Sequence, residues 1–187
     1  MTTAQPGQSA FDAQVYRNNL FRLLGDRDPH EVLAQTPLAL AGVVRAHSVT
    51  VLRARPAEGQ WTANEVIGHL VDGEWVYGYR ARLILCEDNP AIPGTNQDQW
   101  VARQRHNERE PSELVNTFAI LRECNLALWK RLSPAELSRS GHHNERGQES
   151  LSVMWRMLAG HDLSHLKQIA RIVNSQGSTP NSQRVSE

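Results

Sequence analysis

Charge of one sign is what this sequence most lacks. Lysine plus arginine and aspartate plus glutamate number 20 each among 187 residues, a formal net charge of zero. That balance provides no electrostatic footprint for nucleic acid or for an anionic membrane. No apolar stretch approaches the ~20 residues needed to span a bilayer. The opening Met-Thr-Thr-Ala-Gln-Pro-Gly-Gln-Ser has no basic region followed by an apolar run, so it does not read as a secretory signal. Cysteine is scarce. Cys86 and Cys124 have neither metal-motif spacing nor a secreted context, and read as small buried hydrophobes. Aromatics are sparse apart from five tryptophans, spread along the chain and read as core or cleft-lining residues. Together these absences lead us to expect a soluble, cytoplasmic protein with a small-molecule substrate and with neither nucleic acid nor membrane as partner.

What is present is helical periodicity, over a length that suits one domain. Residues 1–8 and the polar, Gly/Pro-punctuated tail 174–187 read as flexible, leaving 9–173 as a single domain. Four helical regions are expected within it. The first is broken: Ala10 to Leu24, then a stretch to about Leu52 interrupted at Pro37. The second runs from Thr62, with Glu65 at capping-box spacing, to about Glu87. Pro111, a first-turn residue, opens the third, which ends near Leu132. A period of roughly 3.6 residues carries the fourth from about Ser150 to Val173. Alternating β-branched runs are missing, so the fold class is all-α, a four-helix bundle. The segment Asp88 to Glu110 is long for a link between antiparallel neighbours and suits a crossover between parallel helices 2 and 3.

Three histidines carry the chemistry. His161 and His165 are four residues apart and leave one face of the last helix, while His69 lies in the second. Spacing alone does not separate a ligand pair from two core histidines. Context adds to it. Gln168 extends the His161/His165 stripe, and Asp72, three residues past His69, is placed to orient an imidazole. Antiparallel packing of the two helices would bring His69 and His165 within a turn of each other. Gly68, Gly73 and Gly78, costly in a helix interior, read either as close backbone approach around a site or as loosely tolerated positions. His142 and His143 read as loop residues that are either solvated or in contact with substrate. Glu65 and Glu74 read as capping or surface groups, and His47 and His106 as surface residues. Asp98 and Trp100 either lock the crossover loop or line the pocket.

Trp61-Thr-Ala-Asn-Glu-Val-Ile-Gly-His69-Leu-Val-Asp72-Gly-Glu74 resembles the first signature of the DinB/YfiT-like superfamily, and His161-Asp-Leu-Ser-His165-Leu-Lys-Gln168-Ile its last. Gln97-Asp98-Gln-Trp100 and His143-Asn-Glu-Arg146-Gly147 fall where many members have similar segments. The resemblance implies a bundle with a long crossover, one divalent ion (zinc or nickel) on His69, His161 and His165, and often a homodimer. Many members carry an acid where this chain has Asn96, which leaves Asp98 and Gln168 as the catalytic candidates, with Asp72, Trp100 and His143 around the pocket.

Three imidazoles on a divalent ion leave positions for water or substrate, as in catalytic rather than structural sites. Two chemistries follow: hydrolysis by activated water, or transfer of an activated low-molecular-weight thiol to a small electrophile. The resembled superfamily includes both. We favour thiol transfer, because a bundle cleft with tryptophans suits a small apolar electrophile. A non-enzymatic bundle that sequesters an ion or ligand, or a dimeric interaction module, is the contrasting class.

Overall fold

The computed structural model describes residues 10–177, so the N-terminus expected to be flexible at 1–8, and all of the expected 174–187 tail but its first four residues, lie outside the described residues. In chain order the elements are α1 (Ala10–Leu24), α2 (Pro29–Ala46), α3 (Val49–Arg53), α4 (Ala63–Cys86), β1 (Ala91–Ile92), α5 (Gln97–Arg103), a 3₁₀ turn (His106–Glu108), α6 (Pro111–Trp129), α7 (Pro134–Ser138), β2 (Ser140–His143), β3 (Gly147–Ser150) and α8 (Leu151–Gly177). Local chemistry sets many of the boundaries. Thr62 and Glu65 form the expected capping box at the start of α4, and Pro111 occupies the first turn of α6. Asn96 caps α5 by accepting from the Gln99 amide, which gives that residue a structural role. α8 runs past Val173, so residues 174–177 are its last turn rather than tail.

α2, α4, α6 and α8 form a four-helix bundle in which α2 and α4 each pack between α6 and α8, and α1 lies along α8. Paired contacts fix the directions. Glu74 meets Arg122 and Gly78 meets Asn125, so α4 and α6 run parallel, as the long crossover predicts. His69 meets His165 and Gly73 faces His161, so α4 and α8 are antiparallel.

Two expectations need correction. Pro37 does not interrupt α2, which runs straight through it. A proline lacks the amide that would bond to the carbonyl four residues earlier; that carbonyl, on Leu33, instead accepts from Arg122 Nη1 at 2.9 Å. Strands are also present. β1, β2 and β3 form a small sheet in that order, with β1–β2 parallel and β2–β3 antiparallel. At two to four residues each, without alternating apolar positions, they leave no periodic signal. Gly147, at φ 73°, supplies the left-handed residue that closes the β2–β3 hairpin.

The core divides into two apolar clusters. One gathers Leu40, Ile67, Leu70, Leu114, Phe118 and Ile169, and the other Leu33, Ile84, Trp129, Leu151, Met154 and Leu158. Between them all four bundle helices contribute a polar or helix-breaking residue: Thr36 and Pro37, Asp72 and Glu74, Arg122 and Asn125, His161 and Asp162. The candidate site sits in this layer.

Candidate metal centre and cleft

The antiparallel contact of α4 and α8 brings the three histidines together. Nε2 of His161 lies 3.0 Å from Nε2 of His69 and 3.1 Å from Nε2 of His165. One ligand atom from each ring falls within 4.8 Å of the others. Nitrogens about 2.0–2.1 Å from a tetrahedral ion are themselves roughly 3.3 Å apart, so the two separations centred on His161 are close to those of a ligand set. Burial pushes all three imidazoles down from their usual pKa, so they are neutral at pH 7, the form that offers a lone pair. Gln168 Oε1 accepts from His165 Nδ1 at 2.8 Å, which leaves Nε2 of that neutral ring unprotonated and facing the cluster. Gln168 therefore sits beside a candidate ligand as its orienting partner.

Beneath the triad lies a charged network. Arg122, 1% exposed, donates to Asp162 and to Glu74, each at 2.6 Å, and Asn125 donates to Glu74 Oε2 at 3.0 Å. One arginine between two carboxylates leaves a formal excess of one negative charge directly under three neutral imidazoles. Three converging neutral imidazole nitrogens, with the His165 Nε2 lone pair turned inward, are the donor chemistry of a divalent metal site.

Several sequence expectations are altered here. Glu74 is buried in the network rather than on the surface. His106 is also buried: its Nε2 donates to Asp72 Oδ2 at 2.8 Å, while Gln104 Nε2 donates to Asp72 Oδ1 at 2.8 Å. Asp72 is thus held by His106 and Gln104 instead of orienting His69. A Cβ on Gly68 would stand 2.3 Å from the His106 ring, so that glycine admits the buried imidazole. Gly78 makes the same kind of room for Asn125, while Gly73 has no contact closer than 3.9 Å. His143 lies on β2 rather than in a loop and is fully buried, with His142 exposed beside it. Cys86 and Cys124 are exposed, contrary to the reading of them as buried. His47 stays half-buried near the end of α2.

A cleft of about 910 Å³ opens over the triad. Trp61 lies against His69, with ring centroids 4.9 Å apart and the planes tilted by 48°. Asp98 and Trp100 line the cleft from α5, exposed at its rim. Arg122, Asp162 and Asn125 were missed in the sequence. A signal did exist: 114, 118, 122, 125 and 129 trace one helical face, so Arg122 and Asn125 fall in phase with Leu114, Phe118 and Trp129 and must be buried.

Fold and site together define a class of protein: a four-helix bundle with a parallel crossover pair and a three-histidine cluster at the floor of an open cleft. The chain belongs to the DinB superfamily, whose family model matches residues 33–169. A "putative metal-dependent hydrolase" of Oceanobacillus iheyensis is 29% identical over 115 residues, covering 61% of this chain and 66% of that protein, just under two thirds. The Bacillus subtilis protein of the same description, YfiT, is 24% identical over 148 residues, covering 75% and 82% of the two chains. The solved structure of YfiT, described as a probable metal-dependent hydrolase with an unusual four-helix bundle topology, superposes with a TM-score of 0.74. At 20% identity over 95% of each chain, that match shows the shared fold. Among the described residues no helix is long and apolar enough to cross a membrane.

Proposed function

We propose that this protein is a cytoplasmic metal-dependent enzyme in which His69, His161 and His165 hold one zinc or nickel ion, and which transfers a low-molecular-weight thiol to a small electrophile. The convergence of three neutral imidazole nitrogens carries the metal reading. When bound, a divalent ion supplies one property: it draws the pKa of a coordinated thiol or water toward neutrality. The remaining work falls to the chain. Gln168 fixes the tautomer of His165, Arg122 holds Asp162 and Glu74 in place, and Trp61 covers one side of His69.

Two observations favour a thiol over water as nucleophile. The cleft is near the upper end of the ~300–1,000 Å³ that houses one small ligand, which leaves room for two reactants. The carboxylates close to the triad are also engaged, Asp72 by His106 and Gln104, and Glu74 and Asp162 by Arg122. A coordinated thiol and a coordinated water can each release a proton to solvent once acidified, but hydrolysis of an ester or amide also gains from a positioned acid that protonates the leaving group. Hydrolysis is the second reading, favoured by the descriptions carried by the relatives. Asp98, which has no hydrogen-bond partner among the described residues, would then be the candidate base.

Metal content by mass spectrometry, on untagged protein purified without chelator, is expected to give about one divalent ion per chain, lost in His69→Ala. Metal-loaded protein is then offered a panel of cellular thiols with a generic electrophile, and separately a panel of esters and amides. Turnover of the thiol panel above a His165→Ala control supports transfer. Turnover confined to the esters and amides replaces it with hydrolysis, and a protein that refuses both zinc and nickel removes the metal reading.

A further inference from the structure

The end of the cleft away from the triad is built around Arg80. His69, Gly73, Tyr77 and Arg80 line the cleft from one helix, and the eleven residues from His69 to Arg80 correspond to about 16 Å of helix axis. Arg80 is 4% exposed, yet no carboxylate pairs with it among the described residues. Its Nη2 donates to the Pro93 carbonyl at 2.6 Å, which fixes the guanidinium, while its Nε has no partner. The Tyr77 ring stands 5.7 Å away. An arginine does not give up its proton, so a buried one without an anion is an unmet electrostatic demand.

The neighbouring groups do not meet it. Glu149 is taken by Arg146, whose Nε and Nη2 donate to it at 2.6 and 2.9 Å. Glu145, whose charge reaches Arg80 through space, lines the cleft as an exposed residue and forms no ion pair with it. His143 accepts the Glu145 amide at Nδ1, so its neutral ring carries the proton on Nε2, another buried donor without a partner. This corner therefore holds two buried donors, Arg80 Nε and His143 Nε2, that no acceptor meets.

We infer that Arg80 anchors a carboxylate borne by one of the two reactants, so that the cleft takes an acidic thiol or an acidic electrophile with its anion held a long reach from the reacting atom. The inference rests on reading the three histidines as the reactive end.

The test uses the full chain loaded with zinc. Calorimetry compares glutathione with its dimethyl ester, which keeps the thiol and loses the carboxylates. A second pair, 4-(chloromethyl)benzoate and its methyl ester, is compared by turnover with a neutral thiol; sulfur bonds to carbon, chloride leaves and the thiol proton goes to solvent. A charge-assisted contact predicts a preference of about tenfold or more for the acid in at least one pair. That preference falls to within about twofold in Arg80→Gln and is partly kept in Arg80→Lys. The pair that responds identifies the reactant carrying the anion. Equal treatment of acid and ester in both pairs by wild type overturns the inference without any variant, and so does a preference that survives Arg80→Gln. Should Arg80→Gln not fold, Arg80→Lys decides, because a shortened, monodentate cation must weaken the preference. Metal content is measured in every sample. A zinc-binding protein that does not discriminate refutes the anion site alone, whereas a protein that takes no zinc refutes the metal reading.

Discussion

Two polar clusters share the middle layer of the bundle and are built on opposite terms. Around Arg122, guanidinium donors meet two carboxylates and the Leu33 carbonyl, and Asn125 closes the remaining face of Glu74. One layer up, His69, His161 and His165 turn nitrogens toward one another at about hydrogen-bond distance, with burial keeping the rings neutral. The lower cluster pairs its charges, leaving only Arg122 Nε without a partner, and holds the helices in register. The upper one is held in place by its neighbours and gathers the kind of donors that a cation would engage. A buried polar group is thus read for function by asking what it still lacks.

The sharpest way to break that comparison is to remove Arg122. Arg122→Met strands two buried carboxylates and the Leu33 carbonyl above Pro37, and should cost about 3–5 kcal/mol in chemical denaturation. His161→Ala borders an open cleft and should shift the denaturation midpoint of metal-free protein far less. A similar loss in both variants would erase the distinction. Zinc at about 100 times its dissociation constant should then stabilise wild type by roughly 2.7 kcal/mol and leave His161→Ala unmoved, read as a shift in melting temperature.

Gln168→Leu tests the support around the triad. Loss of the acceptor that fixes the His165 tautomer should weaken zinc binding about 10–100-fold, with little change in the stability of the metal-free protein.

Acid provides the finest comparison. Burial holds the triad below the usual histidine pKa, and burial together with Arg146 and Arg80 takes His143 down to about 3. Between pH 6.5 and those lowered values the unfolded chain binds more protons than the folded one. The stability of metal-free protein is therefore complete above pH 6.5 and lost as pH falls below it. The expected slope is about 1.4 kcal/mol per pH unit for each histidine withheld from protonation. Denaturation curves across pH 4–8 measure that slope, and saturating zinc should move the onset to lower pH. A flat profile would mean that these rings take up protons in the folded state.

Much of this was legible in the chain. The capping box at Thr62 and Glu65, the first-turn Pro111 and the pairing of His161 with His165 are local facts, set within a turn or two of sequence. The length of the segment between α4 and α6 implied their parallel run, because closing a short antiparallel loop does not need so many residues. The strands escaped notice because two to four residues cannot display a period. His106 looked like a surface residue because its burial depends on a glycine 38 positions earlier in the chain.

By itself, then, the sequence determined the four main helical regions, the starts at Thr62 and Pro111, the crossover and the family to which the chain belongs. It also placed three imidazoles on two helix faces that antiparallel packing would join. Only the tertiary structure decided which partner each polar group takes: Asp72 with His106 rather than His69, Arg122 with Glu74, Asp162 and the carbonyl exposed by Pro37, and Arg80 with no acid. The reason is physical. Helix formation is governed by bonds between residues three or four apart, whereas a buried charge is settled by whatever distant groups the packing brings within about 3 Å.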